Sequence, residues 1–177
     1  MASLIASCIS GDVSAEAVLV VSPKAATPAA IRATSLGVPV TVIAKGEAHD
    51  EQLSQALSSA GVDIICLAGY MFLLPPDIVQ RYEGRVLNIH PALLPKYGGK
   101  GMYGRRVHEA VLAAGETESG CTVHLVNDRY DEGEIILQKR CPVLDDDTVE
   151  TLAERVLDLE HVAFSEALKE LATRVEA

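Results

Sequence analysis

Aliphatic runs of strand length alternate along this chain with segments that carry helical start and stop signals, and this alternation constrains the fold most. Residues 17–21 are an apolar run, residues 28–36 read as a short helix closed by Gly37, and residues 38–43 as the next strand. A second round follows, with a helix over 51–59 ended by Gly61, a fully buried strand over 62–68, and a helix over 75–82 with proline at its start. Residues 86–90 form a strand, 103–114 a helix ending at Gly115, and 122–126 and 134–141 a pair of strands. In the last helix Asp147 caps the N-terminus with Glu150 as its capping-box partner, and Leu152, Val156, Leu159, Val162 and Ala163 make an apolar stripe running to about Leu171. Such alternation predicts an α/β fold, a mainly parallel twisted sheet with helices on both faces. No repeat or linker interrupts it, and the length fits one domain over residues 1–177.

The chemistry concentrates where the strand over 86–90 ends. In Val86-Leu87-Asn88-Ile89-His90-Pro91, the polar side chains alternate with aliphatic ones, and Pro91, lacking an N–H, stops the ladder. Asn88 and His90 therefore share one face at a strand end. An amide donor beside an imidazole that titrates near neutrality suits negative charge growing on a carbonyl oxygen, as in acyl transfer. Downstream, Thr122, His124 and Val126 alternate with Cys121, Val123 and Leu125, and the polar cluster that follows is a loop carrying Asp128 and Asp131. Asp131 supplies the third chemical group.

Asn88-Ile89-His90-Pro91-Ala92-Leu93-Leu94-Pro95 and Tyr130-Asp131-Glu132-Gly133 resemble the two signature segments of the phosphoribosylglycinamide formyltransferase family. The likeness runs from about residue 2 to about residue 171. It implies a Rossmann-like sheet and transfer of a formyl group from 10-formyltetrahydrofolate to the amine of glycinamide ribonucleotide in purine synthesis, with no metal. Carried over residue by residue, it makes Asn88 and protonated His90 the oxyanion donors and Asp131 the general base. His124 becomes a support that positions Asp131, with Thr122 beside it. Tyr70, Met71, Phe72, Leu73, Leu74 and Ile78, with Val126, Asn127, Asp128 and Asp131, match the segments that form the pterin slot. Met71, Ile89, Pro91 and Glu160 match substrate contacts, Glu160 toward the ribose hydroxyls.

Departures from the family lie mainly near the beginning. Residues 3–12 resemble the later turns of the family's first helix, so its first strand and the glycine-rich phosphate loop are expected to be missing here. Direct pairing of the strands at 17–21 and 62–68, or a strand from another chain, would then fill the sheet, and the ribonucleotide would bind weakly. Phe72 stands where many relatives carry arginine, and Leu157 where many carry a long polar residue.

Composition narrows the partners. A net charge of −10 argues against a surface that tracks nucleic-acid phosphates. The apolar runs are too short for a membrane span, and there is no signal-peptide pattern at the start, which points to the cytoplasm. Cys8, Cys66, Cys121 and Cys141 lack metal-site spacing and read as reduced thiols. Small molecules are the expected partners, and a homodimer is compatible with the resemblance. The glycine-containing stretch over 95–104 reads as a mobile wall of the site, and His49 and His108 as exposed residues without chemistry. Two other activities would use the same side chains: hydrolysis of 10-formyltetrahydrofolate, whose enzymes carry a further regulatory domain ahead of this one, and folate binding without catalysis.

Overall fold

The computed structural model describes residues 1–176. Its elements are α1 (Ala2–Ser10), β1 (Val20–Ser22), α2 (Pro28–Ser35), β2 (Val40–Val42), α3 (His49–Ser59), β3 (Ile65–Leu67), α4 (Pro76–Arg81), β4 (Val86–His90), α5 (Arg105–Ala113), β5 (Glu118–Leu125), β6 (Ile135–Pro142) and α6 (Val149–Glu176). Local chemistry sets many of the boundaries. The Thr27 hydroxyl accepts from Ala30 N–H and Pro28 opens α2 with its φ already helical, while Gly37 and Gly61, at φ 78° and 62°, turn the chain out of α2 and α3. At α6 the cap is Thr148, not Asp147. Thr148 Oγ1 accepts from Thr151 N–H, and Thr151 Oγ1 accepts from Thr148 N–H. Asp147 instead accepts from Leu144 N–H and holds Arg155 by two nitrogens, at 2.6 and 2.8 Å, and Glu150 pairs with Arg105.

The expected α/β, Rossmann-like architecture is present, with parallel pairing of β1 to β2 and of β3 to β4. The last two strands run antiparallel, so the larger sheet has the order β3-β4-β5-β6. β1 and β3 are not hydrogen-bonded to each other, so of the two expected arrangements the direct pairing of the strands at 17–21 and 62–68 is not formed. Packing of α1 joins the two sheets instead. Ile5 lies in a cluster with Val20 and Val40, and Leu4 and Cys8 lie in the cluster that contains Cys66, so one helix is anchored to both halves. β3 is also less buried than expected, since Ile65 and Cys66 are only partly covered.

Alternation along β4 separates structure from chemistry. Leu87 and Ile89 face the cluster built by α1, α5 and α6, including Val111, Val156, Ala163 and Phe164. Val86 faces the opposite cluster, with Leu53 and Leu57 of α3 and Ile78 of α4. Asn88 and His90 share the face of Val86, beyond the end of that apolar layer. His49 and His108, expected to be exposed, are buried at 7% and 5% exposure. Each lies on the inward stripe of its helix, a consequence of four- and three-residue spacing from Leu53 and Val111 respectively. Among the described residues no helix is long and apolar enough to cross a membrane.

Candidate active site

The antiparallel register of β4 and β5 does the assembly. Asn88 stands opposite His124 and His90 opposite Thr122, so four polar side chains share one face of two adjacent strands. Asp131 comes in from the loop between β5 and β6 with φ 57°, a left-handed conformation that aspartate tolerates better than most residues. Its Oδ2 lies 3.5 Å from His90 Nδ1 and its Oδ1 3.6 Å from His124 Nε2. Gly99 N–H donates to Oδ2 at 2.9 Å.

These contacts fix the tautomers. A carbonyl only accepts, so the 2.7 Å contact with Tyr97 O puts a proton on His90 Nε2, leaving Nδ1 toward Asp131. By the same argument His124 donates through Nδ1 to Leu125 O at 2.8 Å. In the neutral ring His124 Nε2 then accepts from Asn88 Nδ2 at 3.0 Å, and in the protonated ring it faces the Asp131 carboxylate as a donor. His124 therefore supports both Asn88 and Asp131, one more partner than expected. Burial disfavours the Asp131 anion, but the neighbouring His124 and His90 imidazoles and the Gly99 N–H together hold its pKa below the usual value. Burial acts on His90 in the opposite sense and wins: its pKa is lowered despite the pull of Asp131 and the Tyr97 carbonyl.

Other residues expected at the site separate into groups. Met71, Phe72 and Leu73 are exposed at 57%, 50% and 41%, an apolar surface uncommon in a three-residue run. Tyr70 meets Phe72 edge to face at 6.0 Å, its hydroxyl buried without a partner, and Lys45 Nζ lies 5.0 Å over the Phe72 ring. Leu74 and Ile78 are core, at 6% and 1% exposure, with Val126 packed against their cluster. Asn127 Oδ1 accepts from Arg129 N–H and so shapes the loop, while Asp128 points outward. Ile89 packs into the cluster on the far side of the sheet, leaving only its backbone toward the site, and Pro91 is half-buried at the strand end. Glu160 is partly buried on α6, close enough to the N-terminal amine for the two charges to act on each other. Burial pushes its pKa up to about 7. Among the described residues it makes no hydrogen bond or ion pair with Asn88, His90 or Asp131.

The stretch over 95–104, expected to be a mobile wall, is fastened to the site at its start. Tyr97 O and Gly99 N–H bind His90 and Asp131, and a Cβ on Gly98 would stand 2.5 Å from Leu94 Cδ2 and 3.3 Å from Asp131 Cβ. Sequence reasoning could not find Tyr97 and Gly99 because both act through backbone. The run of glycines was the available signal: close approach explains Gly98, and positive φ explains Gly99, Gly101 and Gly104. The thiols are free, and burial raises Cys66 and Cys121 to about 12, which makes them poor nucleophiles. Among the described residues no group of three or more His, Cys, Asp or Glu side chains is placed to hold a metal ion.

An amide, an imidazole and a carboxylate converging at a strand end of an α/β sheet define a site suited to a developing oxyanion and a departing proton. Residues 1–168 match the family described as formyl transferase, and the chain belongs to that family, in its phosphoribosylglycinamide formyltransferase branch. The chloroplastic phosphoribosylglycinamide formyltransferase of Arabidopsis thaliana is 46% identical over 91% of this chain and 57% of its own length. The phosphoribosylglycinamide formyltransferase of Haemophilus influenzae is 37% identical over 94% of this chain and 79% of its own. The crystal structure of the Brucella melitensis enzyme of that name superposes with a TM-score of 0.88 at 43% identity, covering 97% of this chain and 88% of that one. This chain thus spans little more than half of the Arabidopsis protein.

Proposed function

We propose that this chain, as one domain over residues 1–177, transfers the formyl group of 10-formyltetrahydrofolate to the primary amine of glycinamide ribonucleotide. The convergence of Asn88, His90 and Asp131, in a fold shared with proteins named phosphoribosylglycinamide formyltransferase, carries the reading. Attack of the amine on the formyl carbon gives a tetrahedral intermediate with charge on its oxygen. Asn88 has a second N–H beyond the one engaged with His124, and it serves that oxygen. His90, protonated as the oxyanion develops, serves it through Nδ1–H, since 3.5 Å to Asp131 is too long for a strong hydrogen bond and leaves that proton to be shared. Asp131, ionised at neutral pH, takes the amine's proton directly or through one water. Collapse of the intermediate returns a proton to N10 of the folate as the leaving group departs.

The pterin and its linker lie against Tyr70, Met71, Phe72 and Leu73, with Leu74, Ile78 and Val126 as the apolar floor beneath and Asn127 and Asp128 on the facing loop. The exposed apolar run supports this assignment, because covering it by a flat ring removes surface that water solvates poorly. Met71, the Ile89 backbone and Pro91 line the side from which the amine arrives, and Glu160 is assigned to the ribose.

Consumption of 10-formyltetrahydrofolate with and without glycinamide ribonucleotide, with products identified by mass, tests the reading. Formyl transfer that requires the ribonucleotide supports it. Equal consumption without the ribonucleotide identifies a hydrolase, and binding of a folate analogue with no turnover identifies a binding protein.

A further inference from the structure

His90, Thr122 and Gln138 form a row across three strands, since the register sets His90 opposite Thr122 and Thr122 opposite Gln138. Thr122 is fully buried. Its Oγ1 accepts from Leu94 N–H at 3.0 Å and from Gln138 Nε2 at 2.9 Å, which leaves its single proton for Ala92 O at 2.6 Å. Gln138 Nε2 also donates to Leu94 O at 2.9 Å. The backbone of residues 92 and 94 is therefore gripped by two side chains. A few residues later the same loop presents Tyr97 O to His90 and Gly99 N–H to Asp131.

We infer that Gln138 is a positioning residue for the reaction proposed above, acting through Thr122 to hold the 92–99 loop where it orients both His90 and Asp131. The inference rests on that reading for its kinetic consequence only. By forcing the Thr122 hydroxyl to point at Ala92, Gln138 completes the polar network around Thr122. A loop displaced by a fraction of an ångström at residue 94 carries Tyr97 O and Gly99 N–H with it. A Gln138 that merely satisfied the Leu94 carbonyl would matter for stability and leave His90 unchanged.

The test uses Gln138→Met, Thr122→Val and the double variant in the full chain, with Gln138→Glu as a same-shaped change that removes the donor. Each folded variant is assayed for kcat and for KM toward the formyl donor, and the His90 imidazole is titrated by NMR. The expected result is a fall in kcat of about tenfold with KM within about twofold, the pattern of geometry lost at the reacting groups rather than of binding lost. His90 should titrate lower in Gln138→Met and Thr122→Val alike, because the Tyr97 carbonyl and Asp131 that favour its charged form are displaced. The double variant should be no worse than Thr122→Val alone. Unchanged kcat in a folded variant, additive effects, or an unchanged His90 titration overturns the inference. If the wild-type protein transfers no formyl group, the functional reading fails, and the His90 titration, which needs no substrate, still decides the role of Gln138.

Discussion

His90 Nδ1 and Asp131 Oδ2 lie 3.5 Å apart with only 5% and 11% of their side chains exposed, so burial and their mutual attraction both act on each group's charge. Asp131 is pulled below its usual pKa and His90, despite that partner, is pushed below 6.5 by burial. The pair is therefore an ionised carboxylate beside an imidazole that is mostly neutral at pH 7 in the free protein, and an oxyanion arriving at the site would raise the proton affinity of His90 when it is needed.

Removing the carboxylate should make His90 harder to protonate. In Asp131→Asn the attraction that favours imidazolium disappears while burial remains, so the His90 pKa should fall further below 6.5 than in the wild type. NMR titration of the imidazole Cε1 proton measures this. A His90 pKa that rises or stays the same in Asp131→Asn would mean that the two groups are not coupled as described.

Gly133 should not accept a side chain. An added Cβ would lie 1.7 Å from Leu125 O, and that backbone belongs to β5 and cannot swing aside. Gly133→Ala should cost at least about 1–3 kcal/mol, as overpacking does, and should also lower activity because Gly133 closes the loop that aims Asp131. Thermal or urea unfolding and a turnover assay on the same sample check both effects. A variant with full stability would contradict the close approach.

Much of this arrangement was legible in the sequence. β4 runs over Val86–His90 as read, because Pro91 stops the ladder and the apolar alternation is unbroken. β5 begins at Glu118, earlier than the expected residue 122, because Ser119 and Gly120 are poor strand formers held in place by pairing with Cys141 and Arg140. The cap of α6 lies one residue beyond the expected Asp147, because the adjacent Thr148 hydroxyl reaches Thr151 N–H while Asp147 is held by Arg155. The contacts made by Tyr97 O and Gly99 N–H stayed hidden because backbone groups leave no residue-type signature. The pairing of Asn88 with His124 depends on cross-strand register, which the sequence of either strand alone does not fix.

Glu160 should make stability depend on pH in a defined direction. Its carboxyl titrates at about 7 in the fold against an ordinary 4.5, so the folded chain holds this proton more tightly than the unfolded chain. Ionisation therefore opposes folding increasingly as pH rises from 4.5 to 7, by up to about 3 kcal/mol at 1.36 kcal/mol per pH unit. Glu160→Gln should stabilise the protein above pH 7 and give no gain below pH 4.5. Melting temperatures of both proteins at pH 4.5 and pH 8 provide the check, and an equal difference at the two values would contradict the buried-carboxyl account.

The most direct measurement is formyl transfer from 10-formyltetrahydrofolate to glycinamide ribonucleotide by the wild-type protein, Asp131→Asn and His90→Ala, with circular dichroism confirming that each is folded. The account predicts transfer by the wild type and a loss of at least about 100-fold in kcat/KM in either variant, the lower range for removing a general base or an oxyanion donor. A folded Asp131→Asn or His90→Ala protein that keeps most of the wild-type rate would contradict it.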